Sequence, residues 1–121
     1  MTSLYIPGDL VYIHGSLRII NNCDGYYATY YDEDETLQEI NVNVIEDIPL
    51  TPEILKKNGW MLLRMYHWFI EKECLKLRLL ELDNYSWSAC IGDNVIRINM
   101  YSVSDLQHLL FGLNVNHEME V

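Results

Sequence analysis

The side chains of this 121-residue chain that could do chemistry are four histidines, three cysteines and eighteen carboxylates, set against eight lysines and arginines. None stands at the spacing of a familiar catalytic or ligating motif. There is no P-loop, no G-x-G-x-x-G, no H-E-x-x-H, no G-x-S-x-G and no C-x-x-C. His14, His67, His108 and His117 are scattered, with no cysteine or acid at zinc-ligand spacing. His14 reads as a polar turn residue beside Gly15. His67, between Tyr66 and Trp68, reads as a partly buried, hydrogen-bonded residue. His108 falls on the polar side of a helix and His117 in the tail. The run Asp32-Glu33-Asp34-Glu35 has the carboxylate density that a hard cation takes. A calcium loop counted from Asp32 would need Gly sixth and Glu twelfth, where Leu37 and Asn43 stand. The run reads instead as a solvated turn. Cys23 has Asp24 beside it, an unfavourable neighbour for a thiolate nucleophile. Cys74 and Cys90 lie in strand-like runs and read as packing residues. The expectation is a protein that is not an enzyme and holds no cofactor and no metal.

The tyrosines point elsewhere. Six of the nine lie in the first 31 residues. Tyr26, Tyr27, Tyr30 and Tyr31 cannot all face one core, because strand neighbours point to opposite faces. At least one or two should be exposed, beside Asp32, Glu33, Asp34 and Glu35. Exposed tyrosine with a charged rim is an interface composition. These eight residues are the candidate protein-binding site, and its partner should present a basic or neutral surface.

Charge sharpens that expectation. The chain carries −10. Residues 1–50 hold nine acids against the single base Arg18, and residues 51–121 hold nine acids against seven bases. Nucleic acid is a poor partner for such a chain, because phosphate binding needs clustered Lys and Arg. No window reaches the roughly 18 apolar residues of a membrane-spanning helix. Residues 1–9 show neither a basic nor an apolar leader segment. Three well-separated cysteines suit a reducing compartment, so the expected location is the cytoplasm.

The elements that must position these residues can be read from periodicity. Leu10–Ile13, Leu17–Ile20, Tyr26–Tyr31 and the alternation of Ile40, Val42 and Val44 read as four short strands. Gly and Asx residues stand at the breaks. Residues 51–59 read as one helix: Thr51 caps it, Pro52 opens it, Glu53 and the Lys56-Lys57 pair suit its dipole, and Asn58-Gly59 ends it. Residues 60–70 are rich in aromatic and long apolar side chains and fit neither period cleanly; strand and helix both stay open, with strand favoured because Gly59 breaks the preceding helix and strands follow. Three alternating runs follow, carried by Leu75/Leu77/Leu79, Trp87/Ala89/Ile91 and Ile96/Ile98/Met100, with Gly92-Asp93-Asn94 as a hairpin turn. Ser102 and Asp105 open a last helix to about Leu113. Leu106, Leu109, Leu110 and Leu113 form its apolar stripe, with Gln107 and His108 toward the other side. The tail, 114–121, should be loose.

Two segments carry a resemblance. Ile48-Pro49-Leu50-Thr51-Pro52-Glu53-Ile54-Leu55-Lys56-Lys57-Asn58-Gly59-Trp60 resembles the "IPLTEEILEKNGF" segment of small uncharacterised proteins from Bacteroides-type bacteria and their phages. Val103-Ser104-Asp105-Leu106-Gln107-His108-Leu109-Leu110, with acids after it, resembles the "VHELQ-x-L" close of the same proteins, with Ser104 where His is usual. The resemblance implies a phage, prophage or mobile-element source and brings no site residues. Residues 8–20 also resemble the first hairpin of an SH3-like barrel, a fold of many binding modules.

The expected fold is α+β. A small SH3-like antiparallel β barrel over 1–47 is followed by a short helix and an antiparallel β meander packed by a C-terminal helix over 48–121, the two parts sharing a core or not. The expected function is a non-enzymatic protein-binding module of phage or prophage origin, acting through its acidic, Tyr-rich face. The alternatives are an acidic DNA-mimic decoy that blocks a host defence or nucleic-acid-binding protein, or a virion or assembly component that forms homo-oligomers.

Overall fold

Alternating apolar residues, punctuated by glycine and Asx turns, fold the described residues into two antiparallel five-stranded sheets and two α-helices, an α+β architecture that is mostly sheet. The computed structural model describes residues 5–82 and 85–121, so the first four residues of the expected front section lie outside the described residues. The chain divides into two units, Met1–Ile48 and Pro49–Val121. Among the described residues no helix is long and apolar enough to cross a membrane.

The front unit holds β1 (Leu10–Ile13), β2 (Ser16–Cys23), β3 (Tyr27–Tyr31), β4 (Leu37–Asn41) and β5 (Ile45–Asp47), ordered β4-β3-β2-β1-β5. The sheet is open, with β4 and β5 as its edges. His14 and Gly15 form the β1–β2 turn with φ of +52° and +79°. Two consecutive positive φ angles match the twist of a tight hairpin, which gives His14 its structural place. One face of the sheet covers a core of Tyr5, Val11, Ile13, Ile20, Ala28, Val42 and Ile45, with Cys23, Tyr30 and Ile40 packed against it. The Tyr5 hydroxyl donates to Asp47 Oδ1 at 2.8 Å. Burial first, then that bond and the Asp47 charge, hold the phenol well above the ordinary tyrosine range.

The expected strand through Ile40, Val42 and Val44 is corrected. β4 stops at Asn41, and Val42–Val44 is a single 3-10 turn that leads into β5. Asn41 Oδ1 accepts the Asn43 N–H at 2.9 Å, a local bond that competes with the sheet ladder. The turn sends Val42 into the core, and its N–H donates to the Tyr26 carbonyl at 2.9 Å.

The back unit holds α1 (Pro52–Lys57), β6 (Met61–Arg64), β7 (His67–Lys72), β8 (Leu75–Glu81), β9 (Trp87–Ile91), β10 (Asn94–Met100) and α2 (Val103–Gly112). Its strands form a meander in the order β10-β9-β8-β7-β6. The ends of α1 match the sequence expectation. Thr51 Oγ1 accepts the Ile54 N–H at 3.3 Å, and Gly59 takes φ +87° after the last turn. Residues 60–70, open between strand and helix in the sequence, fall in two strands. β6 and β7 are joined at Met65-Tyr66, with Tyr66 at φ +67°, and no turn-forming residue type marks the place.

Register lays Trp68, Leu79 and Ala89 side by side across β7, β8 and β9, all buried. Leu55, Trp60, Leu77, Trp87, Met100, Val103, Leu106 and Leu110 are buried in the same unit. Pro49 and Leu50 run antiparallel to Tyr101 and Ser102, and the Trp87 indole N–H donates to the Leu50 carbonyl at 3.1 Å. The capping box of α2 is complete: Ser102 Oγ accepts the Asp105 N–H at 3.1 Å, and Asp105 Oδ2 accepts the Ser102 N–H at 3.1 Å.

Four expectations for this unit are corrected. Ile96, Ile98 and Met100 do not share a buried face; only Met100 is buried. Register shifts on both sides of Arg97, with Asn99 at φ +58°, rotate the strand and leave Ile96 and Ile98 exposed on the sheet edge. Cys74 is no packing residue. It is exposed in the two-residue β7–β8 turn, where Glu73 and Cys74 take φ of +50° and +71°. Gln107 is fully buried, and its amide donates to the His117 carbonyl at 3.0 Å. The tail is docked. Asn58 donates to the Glu120 carbonyl at 2.7 Å and accepts the Glu120 N–H at 2.8 Å, as a neighbouring strand would, while Lys57 Nζ reaches the Val121 carbonyl at 3.1 Å.

Candidate functional site on the outer face of the front sheet

Strand alternation divides the four candidate tyrosines. On β3, Ala28 and Tyr30 face the core, while Tyr27, Thr29 and Tyr31 face outward. Tyr26, in the preceding turn, is 76% exposed. Tyr30 therefore leaves the candidate site. Its ring packs on the core, and the Arg18 guanidinium lies 6.0 Å from the ring centroid. Tyr27 and Tyr31 stay, both about half exposed.

Register assembles neighbours for them. Across β4, Tyr31 stands opposite Leu37, Thr29 opposite Glu39 and Tyr27 opposite Asn41. On the other side β2 turns Leu17 and Ile19 outward, both exposed, and Asn21 donates to Thr29 Oγ1 at 3.2 Å. Leu17, Ile19, Asn21 and Tyr31, with Arg18 and Ile20, line an open groove of about 410 Å³. The face is thus an apolar and aromatic surface of Leu17, Ile19, Tyr27, Tyr31 and Leu37, with carboxylates around it.

Those carboxylates have different tasks. Asp32 builds the β3–β4 turn: Oδ1 accepts the N–H groups of Asp34 and Thr36 at 2.9 and 3.0 Å, and Oδ2 accepts the Gln38 amide at 2.8 Å. Asp24 does the same before β3, its Oδ1 accepting the N–H groups of Tyr26 and Tyr27 at 2.8 and 2.7 Å. Glu33 pairs with Arg18 at 3.4 Å. Asp34 and Glu35 are exposed at the tip of the turn, with Glu35 at φ +59°. Of the four acids expected at the site, Asp32 is structural and the other three form the rim, joined by Glu39.

Hydrogen bonding holds both turn aspartates below the ordinary value near 3.8. For Asp24 the leading cause is the Tyr27 N–H, then that of Tyr26; for Asp32 it is the Thr36 N–H, then the Gln38 side chain. Folding depresses these pKa values. Their contribution to stability is therefore complete above the ordinary aspartate value and is lost as pH falls through the depressed folded value. A carboxyl-carbon NMR titration is expected to show both midpoints below 3.8, with the Tyr26 and Tyr27 amide resonances following Asp24. A midpoint at or above that value would contradict the turn assignment.

The other chemistry-bearing residues do not converge here. Among the described residues no three His, Cys, Asp or Glu side chains stand together as a metal site. The three thiols are free. His67 is half-buried on β7, and desolvation, followed by the charges of Arg64 and Arg78, lowers its pKa. The hydrogen bond expected for it is not found among the described residues.

No family model, curated protein or solved structure matches this chain. Site residues therefore come from geometry alone. Sequence reasoning missed Leu17, Ile19 and Leu37. The alternation Leu17-Arg18-Ile19-Ile20 does hold a signal, because Arg18 and Ile20 must share one face and Leu17 and Ile19 the other. Which face met the core depended on pairing with β1 and β3.

Proposed function

We propose that this chain is a non-enzymatic protein-binding module of phage or prophage origin that docks its partner on the outer face of the front sheet. The observation that carries the reading is the outward row Leu17, Ile19, Tyr31 and Leu37, extended by Tyr27 and rimmed by Glu33, Asp34, Glu35 and Glu39. Apolar and aromatic side chains that stay exposed on a sheet face, inside a charged rim, suit a desolvated centre with a steering periphery. The strand order β4-β3-β2-β1-β5, with a 3-10 turn before β5, supports an SH3-like topology for this unit. The phage or prophage source rests on the two resembling segments. The partner is a protein with a basic or neutral surface around an apolar anchor.

Affinity capture on the immobilised full chain, from lysate of a Bacteroides-type host and washed at low and high salt, tests the reading. The retained partner is expected to survive high salt. The double variant Tyr27→Ser/Tyr31→Ser should weaken its binding by about 30-fold or more, as loss of central aromatic anchors does. Asp34→Asn/Glu35→Gln should cost only a few-fold, mainly in association rate at low salt. A partner insensitive to the tyrosines but lost at high salt would reject this site and favour the acidic decoy.

A further inference from the structure

We propose that β6 is a pairing edge through which two copies of this chain associate, strand against strand, as a two-fold dimer. The inference goes beyond the tyrosine face and does not depend on it. An edge strand presents unpaired N–H and C=O groups, and proteins guard such edges with charge, brevity or bulges. Among the described residues, three of the four sheet edges are guarded. β4 follows the acidic turn and carries Glu39. β5 has three residues, two of them Glu46 and Asp47. β10 has two register shifts around Arg97.

β6 is different. It reads Met61-Leu62-Leu63-Arg64, and all four residues are exposed. Its one charge stands at its end, and its one irregularity falls between Leu62 and Arg64, next to the hairpin turn. Met61 and Leu62 lie on opposite faces, opposite Phe69 and Trp68, so the strand is apolar on both sides. Met65 and Tyr66 at the hairpin tip extend the patch, and each of Met61, Leu62, Leu63, Met65 and Tyr66 is more than half exposed. Together they form a continuous apolar strip along the edge and the hairpin tip, and pairing covers part of it, which suits a weak, concentration-dependent dimer.

Two features favour a second copy as the occupant. Antiparallel pairing of a strand with its own copy is two-fold symmetric, so the interface closes on itself instead of growing. Charge also selects this route. The front unit has nine acids and one base, and two such units repel; the back unit, with nine acids and seven bases, is close to neutral.

Sedimentation of the full chain from about 1 µM to about 1 mM tests the proposal. The expected species at high concentration has twice the 14.3 kDa of one chain. Leu63→Lys, the charge that natural edges use, should raise the dimer dissociation constant at least about tenfold, while Ile98→Lys on β10 should leave it unchanged. Amide exchange on the unaltered chain supplies an arm that needs no variant. Protection of residues 61–64 should rise with protein concentration. A chain that stays monomeric throughout, or a dimer that Leu63→Lys leaves intact, overturns the proposal.

Discussion

Replacing Trp87 by alanine is expected to lower the unfolding free energy of the back unit by about 3–5 kcal/mol. Trp87 is 1% exposed at the start of β9, opposite Glu81 on β8 and Met100 on β10. Its indole N–H also holds the Leu50 carbonyl at 3.1 Å, in the segment that leads into α1. The substitution therefore leaves a large cavity and an unpaired carbonyl at one stroke. Natural domains are stable by about 5–15 kcal/mol, so such a loss takes up much of the margin. Trp87→Phe separates the two terms. It keeps most of the packing, removes the donor and should cost about 1–3 kcal/mol. Urea unfolding followed by circular dichroism reads both variants, and amide exchange at Leu77, Leu79 and Ala89 localises the effect. A Trp87→Ala variant within 1 kcal/mol of the parent would show that the indole does not anchor this sheet.

Ile20→Ala is expected to cost the front unit about 2–5 kcal/mol, and Ile20→Val about 0.5–1.5 kcal/mol. Ile20 is 1% exposed within the core cluster, and its backbone bonds both ways to the turn before β1: its N–H donates to the Asp9 carbonyl and its carbonyl accepts the Gly8 N–H, each at 2.9 Å. Ile19, of the same type and one residue earlier, is 59% exposed on the opposite face. Ile19→Ala should change stability by no more than about 0.5 kcal/mol. The neighbouring pair tests register directly, because a one-residue slip of β2 would exchange the two costs. If Ile19→Ala proved the more damaging, Leu17 and Ile19 would face the core, and the proposed binding face would lose its β2 half.

Local chemistry was legible in the residues themselves. The ends of α1 and α2 follow from Thr51, Pro52, Gly59, Ser102 and Asp105, because a cap is made by side chains within three residues of the backbone they bond. The hairpin at His14-Gly15 follows for the same reason, and the alternation of Leu75, Leu77 and Leu79 marks β8 without any knowledge of its neighbours. The charge asymmetry is a property of composition alone.

The remaining features depended on residues far apart in the chain. Alternation separates Tyr27 and Tyr31 from Ala28 and Tyr30, but only the pairing of β3 with β2 and β4 decides which set meets the core. Bulges reverse the faces of β10, and a bulge is set by the partner strand as much as by the bulged one. Tail docking on Asn58 and burial of Gln107 join residues 62 and 10 positions apart. Composition and short-range pattern determined most of the elements, the caps of both helices and the sign of the net charge. Tertiary structure decided which side chains stay outside, because exposure is fixed by what covers a face, and the covering residues come from elsewhere in the chain.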